Sequence, residues 1–248
     1  GAQPNISQTI LKKLNVPVPP LPEQRAIVKK LEALFSDLDQ GVADLKKAQG
    51  QLKVYRQAVL KKAFEGALTK KSDSFKVTEL GSVIDKPRYG TSKKCTLEQK
   101  GIPVLRIPNI GKGTIDTTEL KYASFDEKEL TTLSLREGDI LTIRSNGSVD
   151  LVGKCALITE RDTKYLYAGY LIRLRPNPEK IVSKYLLYCM GSHNLRIQIE
   201  SKAKSTSGVN NINSGELQSL EVPLFAVKQQ HQIVKEIESR LSVCDALE

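Results

Sequence analysis

Two short stretches of the sequence have residue types and spacing that could belong to a catalytic site. Gly147 to Cys155 (GSVDLVGKC) is similar to a phosphate-binding loop, but five residues separate its glycines where that loop has four, and a cysteine stands where Ser or Thr would bind magnesium. Glu200-Ser201-Lys202 has the acid-x-Lys pattern of a magnesium-dependent nuclease, but no Pro-Asp dipeptide precedes it. We therefore expect no catalytic residue and no enzymatic activity.

Four loops in the middle of the chain are instead rich in side chains that contact nucleic acid. Their sequences are KPRYGTSKK (86–94), RIPNIGKG (106–113), IRSNGS (143–148) and SKAKSTSGVNN (201–211). Lys, Ser and Thr suit phosphate oxygens, while Arg and Asn form paired hydrogen bonds with guanine and adenine edges. Solvated turns have the same composition, so one loop alone decides nothing. The candidate DNA-binding residues are Arg88, Tyr89, Lys93, Lys94, Arg106, Asn109, Lys112, Arg144, Ser145, Asn146, Lys202, Lys204, Thr206 and Asn210.

The charge of the chain favours the same kind of partner. The 248 residues carry a formal net charge of +10, which attracts polyanions at long range. Residues 81–114 contain seven Lys or Arg against two Asp or Glu, whereas residues 116–139 contain three against seven. This segregation along the chain indicates a basic face rather than evenly distributed charge.

Composition makes several other classes of protein improbable. The four cysteines have no Cys-x-x-Cys spacing, and the two histidines do not cluster with them, so we expect no metal site and no disulfide framework. A reducing cytoplasm fits this pattern. No run of about 18 apolar residues occurs, so no membrane partner is expected. At 40% hydrophobic residues the chain can bury a core.

A long helix is the first element that must position these loops. From Glu23 to about Glu65 there is no proline, and apolar residues recur every seven positions, which predicts a coiled-coil seam against a partner helix. The prolines at 17, 19, 20 and 22 enforce extended backbone just before it. The residues predicted to pair the helices are Leu31, Phe35, Leu38, Val42, Leu45, Leu52 and Val59.

The segment around the start of this helix occurs twice in the chain. Residues 5–39 match residues 211–245 without a gap, at a constant offset of 206. This offset is far longer than the 20 to 50 residues of a solenoid or propeller repeat, so we interpret the repeat as a duplicated junction on either side of a domain. The identical pairs include Asn5/Asn211, Ile6/Ile212, Leu11/Leu217, Leu14/Leu220, Val16/Val222, Pro17/Pro223, Gln24/Gln230, Ile27/Ile233, Val28/Val234, Lys29/Lys235, Glu32/Glu238 and Asp39/Asp245.

The part between the two junctions has a different pattern. Short apolar runs (IPVLRI, DILTIR, LVGKCALI and LYAGYLIRL) are separated by Gly, Asn and Pro turns, which predicts strands. IVSKYLLYCMGS and HNLRIQIE are typical of helices. The predicted fold class is α+β, with a globular mixed α/β domain and a long coiled-coil spacer helix.

Taken in order, these pieces resemble a specificity subunit of a Type I restriction-modification system. The resemblance lies in LNVPVPPLPEQRAIVKKLEALFSDLD, AVLKKAFEGALT, GIPVLRIPNI, LREGDILTIRSNGSVDLVGKCALI and NNINSGELQSLEVPL. In that family two target recognition domains are separated by two long antiparallel helices. The resemblance implies the tail of a preceding target domain at 1–22, a long helix at 23–68, a target recognition domain at 69–222 and the start of a second helix at 223–248.

The resemblance also implies a function and partners. It implies a non-catalytic subunit that recognises one half of a bipartite site in double-stranded DNA and docks the modification subunits, and through them indirectly the restriction subunit. S-adenosylmethionine is expected on the modification subunit, and no cofactor on this chain. A second copy of the chain, as a homodimer, is expected to supply the other half. The alternative is a coiled-coil scaffold or dimerisation protein whose globular domain binds another protein.

Overall fold

The computed structural model describes residues 6–68, 75–206 and 208–245, and for residues 204–206, 243 and 245 it describes the backbone alone. The expectations for residues 1–5, 69–74, 207 and 246–248 lie outside the described residues. The chain divides into two units, Gly1–Leu52 and Lys53–Glu248. One helix contributes residues to both.

The first unit consists of a short helix, a connecting segment and most of a long helix. Helix α1 spans Gln8–Leu11 and helix α2 spans Leu21–Phe64, and residues 14–20 between them belong to no helix or strand. The predicted long helix is confirmed, and it begins two residues before Glu23. Pro22 fits into its first turn because the N–H groups there have no partner within the helix.

The predicted pairing face of α2 lies on the surface of the first unit. Leu31, Phe35, Leu38, Val42 and Leu45 are exposed, and Leu52 is partly buried. Since none of the described residues of this unit covers the exposed side chains, coiled-coil pairing stays a prediction. None of the helices in the described part of the chain is long and apolar enough to cross a membrane.

Short strands and helices alternate along the second unit, as the apolar runs predict. All four runs form strands, and the two predicted helices form α4 and α5. The strands are β1 Lys76–Glu79, β2 Arg88–Tyr89, β3 Ile102–Leu105, β4 Lys121–Ala123, β5 Ile140–Ile143, β6 Ser145–Asn146, β7 Cys155–Leu157, β8 Leu166–Tyr167, β9 Leu171–Leu174, β10 Lys204–Thr206, β11 Val209–Asn211 and β12 Glu221–Leu224. The helices are α3 Glu127–Leu133, α4 Ser183–Met190, α5 His193–Lys202, α6 Ser214–Gln218 and α7 Val227–Asp245.

The strands of the described residues form four small sheets. The central sheet has the order β2-β9-β5-β7, and the others are β4-β3-β8, β10-β11-β6 and β1-β12. Only β3 and β8 pair in parallel among these strands. In the middle of the central sheet, Ile140 to Ile143 of β5 pair with Leu174 to Leu171 of β9.

Alternate side chains of the central sheet enter two separate cores. Ile140, Ile172 and Leu174 contribute to a core that includes residues of α4, α5 and α7. Leu141 and Leu171 contribute to a second core that includes residues of β3 and β8. Both faces of β5 and β9 are covered, so every residue of these two strands is buried. Apolar residues can therefore occupy consecutive positions instead of alternating with polar ones.

The end of α2 belongs to the core of the second unit. Val59, Leu60, Ala63 and Phe64 are buried there, and the ring of Phe64 meets Tyr185 edge-on with 5.4 Å between centroids. The expectation that Val59 pairs with another spacer helix is therefore wrong. The heptad spacing continues to Val59, but at this point the apolar residue packs against the globular domain instead.

A buried ion pair fixes the turn that leads into β5. The Asp139 side chain is 1% exposed, and its oxygens lie 2.7 Å from Nε and Nη2 of Arg175, which follows β9. The backbone N–H of Arg136 donates to the same carboxylate at 2.8 Å. The hydrogen bonds that Arg175 donates to Asp139 raise the pKa of Arg175. The pair therefore ties the two central strands together at one end.

Replacing Asp139 by Asn should destabilise the second unit by about 3 kcal/mol, because removing one charge of a buried pair leaves the other uncompensated. Denaturant unfolding of the purified chain measures this change. Glu98→Gln is the matched control, because Glu98 pairs with Lys100 on the surface at 3.8 Å and should leave the unfolding midpoint unchanged. Equal midpoints for both variants would show that the buried pair contributes no more than a surface pair.

Candidate nucleic-acid interface

A stacked arginine and tyrosine bring together three of the four candidate loops. Tyr89 ends β2, and the guanidinium of Arg144 lies over its ring, 4.9 Å from the ring centroid. Arg144 Nε donates to Asn211 Oδ1 at 3.2 Å, and the Tyr89 hydroxyl accepts from the backbone N–H of Ser214 at 2.8 Å. A planar guanidinium held against a ring keeps its orientation, which favours paired hydrogen bonding to a base edge.

Beside this stack, two of the loops pair as a small sheet. Asn146 and Ser145 of β6 pair with Asn210 and Asn211 of β11, respectively, and β11 forms an antiparallel hairpin with β10. The Asn210 amide donates to the Gly147 carbonyl at 3.0 Å. The side chains of Ser145, Asn146 and Asn210 are partly exposed. The structure thus brings these three candidates together with Tyr89 and Arg144.

The other basic candidates near these strands differ in how well they are placed. Lys202 is partly buried at the end of α5, just before β10. Lys204 and Thr206 lie in β10, but their side chains are outside the described part of the structure. Arg88 and Lys94 are exposed, and Arg88 lies in β2 directly beside Tyr89. Successive side chains of a strand point to opposite faces, so the Arg88 side chain leaves β2 on the face away from Tyr89.

An open concavity of about 520 Å³ lies next to this cluster. Tyr170, which is 62% exposed, lies on its lining and accepts at its carbonyl from the backbone N–H of Arg144 at 2.9 Å. Lys93, Arg106 and Lys121 contribute positive charge to the lining. An exposed ring beside cations is a suitable surface for a stacked base or a phosphate.

Two of the predicted basic residues are already paired within the protein. Lys93 donates to the Ser124 carbonyl at 2.9 Å and to Glu129 at 2.6 Å, and Arg106 pairs with Glu119 at 2.7 Å. The bond from Lys93 lowers the pKa of Glu129. The basic segment 81–114 and the acidic segment 116–139 therefore partly neutralise each other. The separation of charges along the sequence therefore predicted a more basic surface than the structure has.

Asn109 is buried inside its loop, so the structure does not place this predicted DNA-binding residue on the surface. It is 1% exposed. Its amide oxygen accepts from the Arg106 N–H at 2.8 Å, and its amide nitrogen donates to the carbonyls of Asp116 and Glu119, both at 2.8 Å. Asn109 thus holds the 106–119 loop together from inside. The local sequence does not distinguish an Asn that supports a loop from inside from an Asn that contacts DNA.

Lys112 lies at a different part of the surface. It is exposed and lines a second concavity, of about 550 Å³, that includes Lys154, Lys184 and Arg196. Two of those cations are paired within the domain, Lys184 with Glu238 at 2.7 Å and Arg196 with Glu200 at 3.2 Å. None of the described residues around Arg144 lines this concavity. The structure therefore does not bring Lys112 to the Arg144 cluster.

Groups suited to metal binding or nucleophilic chemistry are not assembled at this surface. Among the described residues, no group of three or more His, Cys, Asp or Glu side chains is placed to hold a metal ion. Burial raises the pKa of the Cys155 thiol to about 11, and it also raises the pKa of Cys189. Both thiols are therefore protonated at neutral pH and are poor nucleophiles.

Sequence reasoning missed two residues of the cluster. Asn211 ends the candidate loop 201–211 and belongs to the repeat, but it was not named as a candidate residue, although its oxygen accepts from Arg144. Tyr170 falls within an apolar run that predicts a strand, yet its side chain is exposed on a turn before β9. The preceding Gly169 was the available indication, since glycine interrupts the run.

The mixed sheet-and-helix domain with this polar cluster has a counterpart among known families. Residues 1–46 and 70–248 match the family model described as the Type I restriction modification DNA specificity domain. The chain therefore belongs to that family, and the resemblance noted in the sequence is confirmed.

Individual relatives are specificity subunits. The chain is 32% identical over 252 residues to the Type I restriction enzyme EcoKI specificity subunit of Escherichia coli strain K12, covering 98% of this chain and 54% of the relative. It is 31% identical over 250 residues to the StySPI specificity subunit of Salmonella potsdam, again covering 98% and 54%. The chain thus spans about half the length of the relatives it matches.

Solved structures confirm the fold. A chain from a structure of type I R-M system assembly and conformational transition superimposes with a TM-score of 0.71 at 24% identity, over 93% of this chain and 54% of that one. The HsdS subunit from Thermoanaerobacter tengcongensis gives a TM-score of 0.59 at 24% identity, over 98% and 57%. The predicted combination of an α+β domain and a long helix is therefore correct.

Replacing Asn109 by Ala should destabilise the second unit by about 3 kcal/mol, because three buried hydrogen bonds lose their partner. Thermal and denaturant unfolding measure the loss. Gln99→Ala, at an exposed loop position, is the control and should change stability by less than about 0.5 kcal/mol. A stable Asn109→Ala variant with weakened DNA binding would instead restore Asn109 as a DNA contact.

Proposed function

We propose that this chain is a DNA-recognition subunit of a Type I restriction-modification complex and recognises one half of a bipartite sequence. The observation that carries the proposal is the convergence of Tyr89, Arg144, Asn146 and Asn210 from three separated loops at one place beside the sheet β10-β11-β6. Membership of the DNA specificity domain family supports it. The alternative, a coiled-coil scaffold protein, is not favoured by that membership.

The shape of the cluster suggests how it meets DNA. The major groove admits a two-stranded β-ribbon, and the hairpin β10–β11 has this form. In this arrangement Arg144 donates to a guanine edge, while Asn146 and Asn210 contact bases beside it. The proposed phosphate contacts, which set the register, come from Arg88 of β2, Lys94 of the 86–94 loop, Lys202 at the end of α5, and Lys204 and Thr206 of β10.

Catalysis and cofactor binding belong to partner subunits in this proposal. A modification subunit binds S-adenosylmethionine and docks on the specificity subunit, and the restriction subunit joins through it. The names of the relatives, which describe specificity subunits of restriction enzymes, support this division of labour. The helix α2 offers exposed apolar side chains for subunit contacts. Pairing of two copies through this helix is also part of the proposal, as is a cytoplasmic location.

Replacing Arg144 by Ala should weaken binding to the cognate sequence by at least about tenfold, because a paired arginine–guanine contact discriminates by about 1–3 kcal/mol. The measurement is selection from a duplex library at fixed salt, followed by titration of the selected duplex, with the modification subunit present. Lys228→Ala removes the same charge from an exposed position on α7 and is the control.

Loss of preference at one base pair, with non-cognate binding unchanged, would support base recognition by Arg144. An equal loss on every duplex would place Arg144 on phosphates. Unchanged affinity and sequence preference would contradict the placement of DNA on this cluster.

Replacing Leu45 by Glu should convert a homodimer into a monomer, because Leu45 is 68% exposed and a charge in a coiled-coil seam is strongly unfavourable. Light scattering of the parent and variant chains measures the mass. Lys46→Glu, beside it on the helix, is the control for charge alone. A parent chain that is monomeric over the concentration range would contradict the homodimer.

A further inference from the structure

The guanidinium of Arg106 is only half satisfied along one of its edges. Its Nη2 donates to Glu119 Oε1 at 2.7 Å, whereas its Nε is buried and has no hydrogen-bond partner among the described residues. Nε and Nη2 form one edge of the guanidinium, and this edge suits an acceptor that presents two oxygens side by side. Glu119 therefore fills one half of a two-donor edge and leaves the other half open.

A second arginine of the same domain shows this edge fully satisfied. Arg175 Nε and Nη2 each donate to one oxygen of Asp139, both at 2.7 Å. The Asp139 side chain is 1% exposed, whereas the Glu119 side chain is 62% exposed. A buried carboxylate that accepts two bonds is fixed, because its release would leave a buried charge unpaired. An exposed carboxylate that accepts one bond contributes little and is readily exchanged for another anion.

The neighbouring ion pair of Lys93 is held more firmly than that of Arg106. Lys93 Nζ donates to Glu129 at 2.6 Å, and it also lies 5.0 Å from the centroid of the Phe125 ring. Glu129 is itself fixed, because the same oxygen accepts from the Asp126 N–H at the start of α3. Of these two ion pairs, the Arg106 pair is therefore the one with a loosely held acid.

The surroundings of Arg106 suit an anion that is part of DNA. Arg106 lies on the lining of the concavity of about 520 Å³ beside the Arg144 stack. Lys121 contributes another cation to this lining, and Ser92 contributes an exposed hydroxyl group. Arg, Lys and Ser side chains are the ones that most often contact phosphate oxygens of DNA. A strand that meets Arg144 would have its backbone within reach of this lining.

We infer that Arg106 binds a backbone phosphate of the DNA and that Glu119 occupies the place of this phosphate in the free protein. In the complex, two phosphate oxygens accept from Nε and Nη2 of Arg106, and the Glu119 side chain turns to solvent. The inference rests on the proposed function, because it takes the DNA to extend from the Arg144 cluster across the concavity. Glu119 is thus a competing contact that every duplex must break.

The exchange separates the tasks of two neighbouring arginines. Every DNA sequence presents the same phosphate, so displacement of Glu119 lowers the affinity for all duplexes by the same factor. Sequence preference comes from contacts to base edges, such as the one proposed for Arg144. Arg106 and Glu119 therefore set how strongly the domain holds DNA of any sequence.

Replacing Glu119 by Gln should strengthen binding to cognate and non-cognate duplexes alike by about two- to fivefold, because an exposed ion pair no longer has to be broken. The measurement is titration of each duplex with the modification subunit present. Asp116→Asn is the matched control, because Asp116 is an exposed acid of the same loop whose carboxylate accepts from the Thr118 N–H. This control measures the loss of one negative charge alone, and its effect should be smaller by at least about twofold.

Combined variants test the displacement itself. Arg106→Gln should weaken binding to all duplexes by the same factor and should reduce the slope of log affinity against log salt by about 1, because one phosphate contact is lost. In this background Glu119→Gln should act no more strongly than Asp116→Asn, since no pair is left to break. Lys228→Gln, at an exposed position on α7, is the control for Arg106→Gln and should leave the salt slope unchanged.

A native thiol reports whether DNA enters the concavity. Cys95 lies on the lining and is partly exposed, whereas Cys155, Cys189 and Cys244 are buried. With a duplex at about ten times its dissociation constant, alkylation of Cys95 by N-ethylmaleimide should slow about tenfold, because only about a tenth of the protein remains free. Peptide mass spectrometry measures the rate in the parent complex, and high salt, which releases the duplex, should restore it.

The inference is wrong if Glu119→Gln acts no more strongly than Asp116→Asn in the otherwise unchanged chain. Alkylation of Cys95 at the same rate with and without bound duplex would also overturn it. Protection of Cys95 by inorganic phosphate but not by a duplex would assign the Arg106 edge to a free anion, which again overturns the inference.

Failure of the proposed function gives a different result. An Arg144→Ala variant with unchanged sequence preference would contradict base recognition by that residue. Protection of Cys95 by the duplex, together with coupling between Arg106 and Glu119, would in that case still support a phosphate at Arg106. A parent complex that binds no duplex at all would overturn both proposals.

Discussion

The Gln230 amide is the interaction on which the second unit most depends. It is fully buried and bonds to the carbonyls of Phe225 and Lys180 and to the N–H of Val182, so one side chain joins the start of α7 to the bend before α4. A buried amide that makes these bonds fixes one arrangement, because any displacement leaves backbone groups unsatisfied. The apolar residues of α7 pack in the core, while the hydrogen bonds of Gln230 determine where along the core the helix packs.

The candidate DNA surface is built on this scaffold rather than on independent loops. Arg144 directly follows the buried strand β5, Tyr89 ends β2, and both strands belong to the central sheet. The stack between them is therefore anchored beside β5, a strand that is buried on both faces. Asn211 and the Ser214 N–H complete the support from the segment that leads into the second junction. Asn211 and Ser214 therefore belong both to the support of the candidate DNA surface and to the second junction.

Charge and composition predicted a DNA-binding class better than they predicted residues. Tyr89, Arg144, Asn146 and Asn210 come together as loop chemistry suggested, although contact of these residues with DNA stays a prediction. Lys93 and Arg106 have acidic partners, and Asn109 is internal. The local sequences of these three residues resemble those of exposed loop residues. Lys93 and Arg106 are paired only because the fold brings Glu129 and Glu119 beside them. A charged residue's partners come from distant parts of the chain, which a linear count does not include.

The sequence by itself determined the local structure of this protein, which includes the long helix and the strands of the apolar runs. It also determined the repeated junction, in which Ser7 and Asn213 cap short helices. In both copies a glutamine, Gln24 or Gln230, donates to the backbone carbonyl five residues before it. These features depend on propensity, periodicity and bonds within a few residues. Tertiary structure alone decided which copy of the junction is buried, that Val59 enters the globular core instead of a coiled-coil seam, and that Asn109 faces inward. Burial depends on what lies on the other side of a surface, and two copies of one repeat therefore end in different environments.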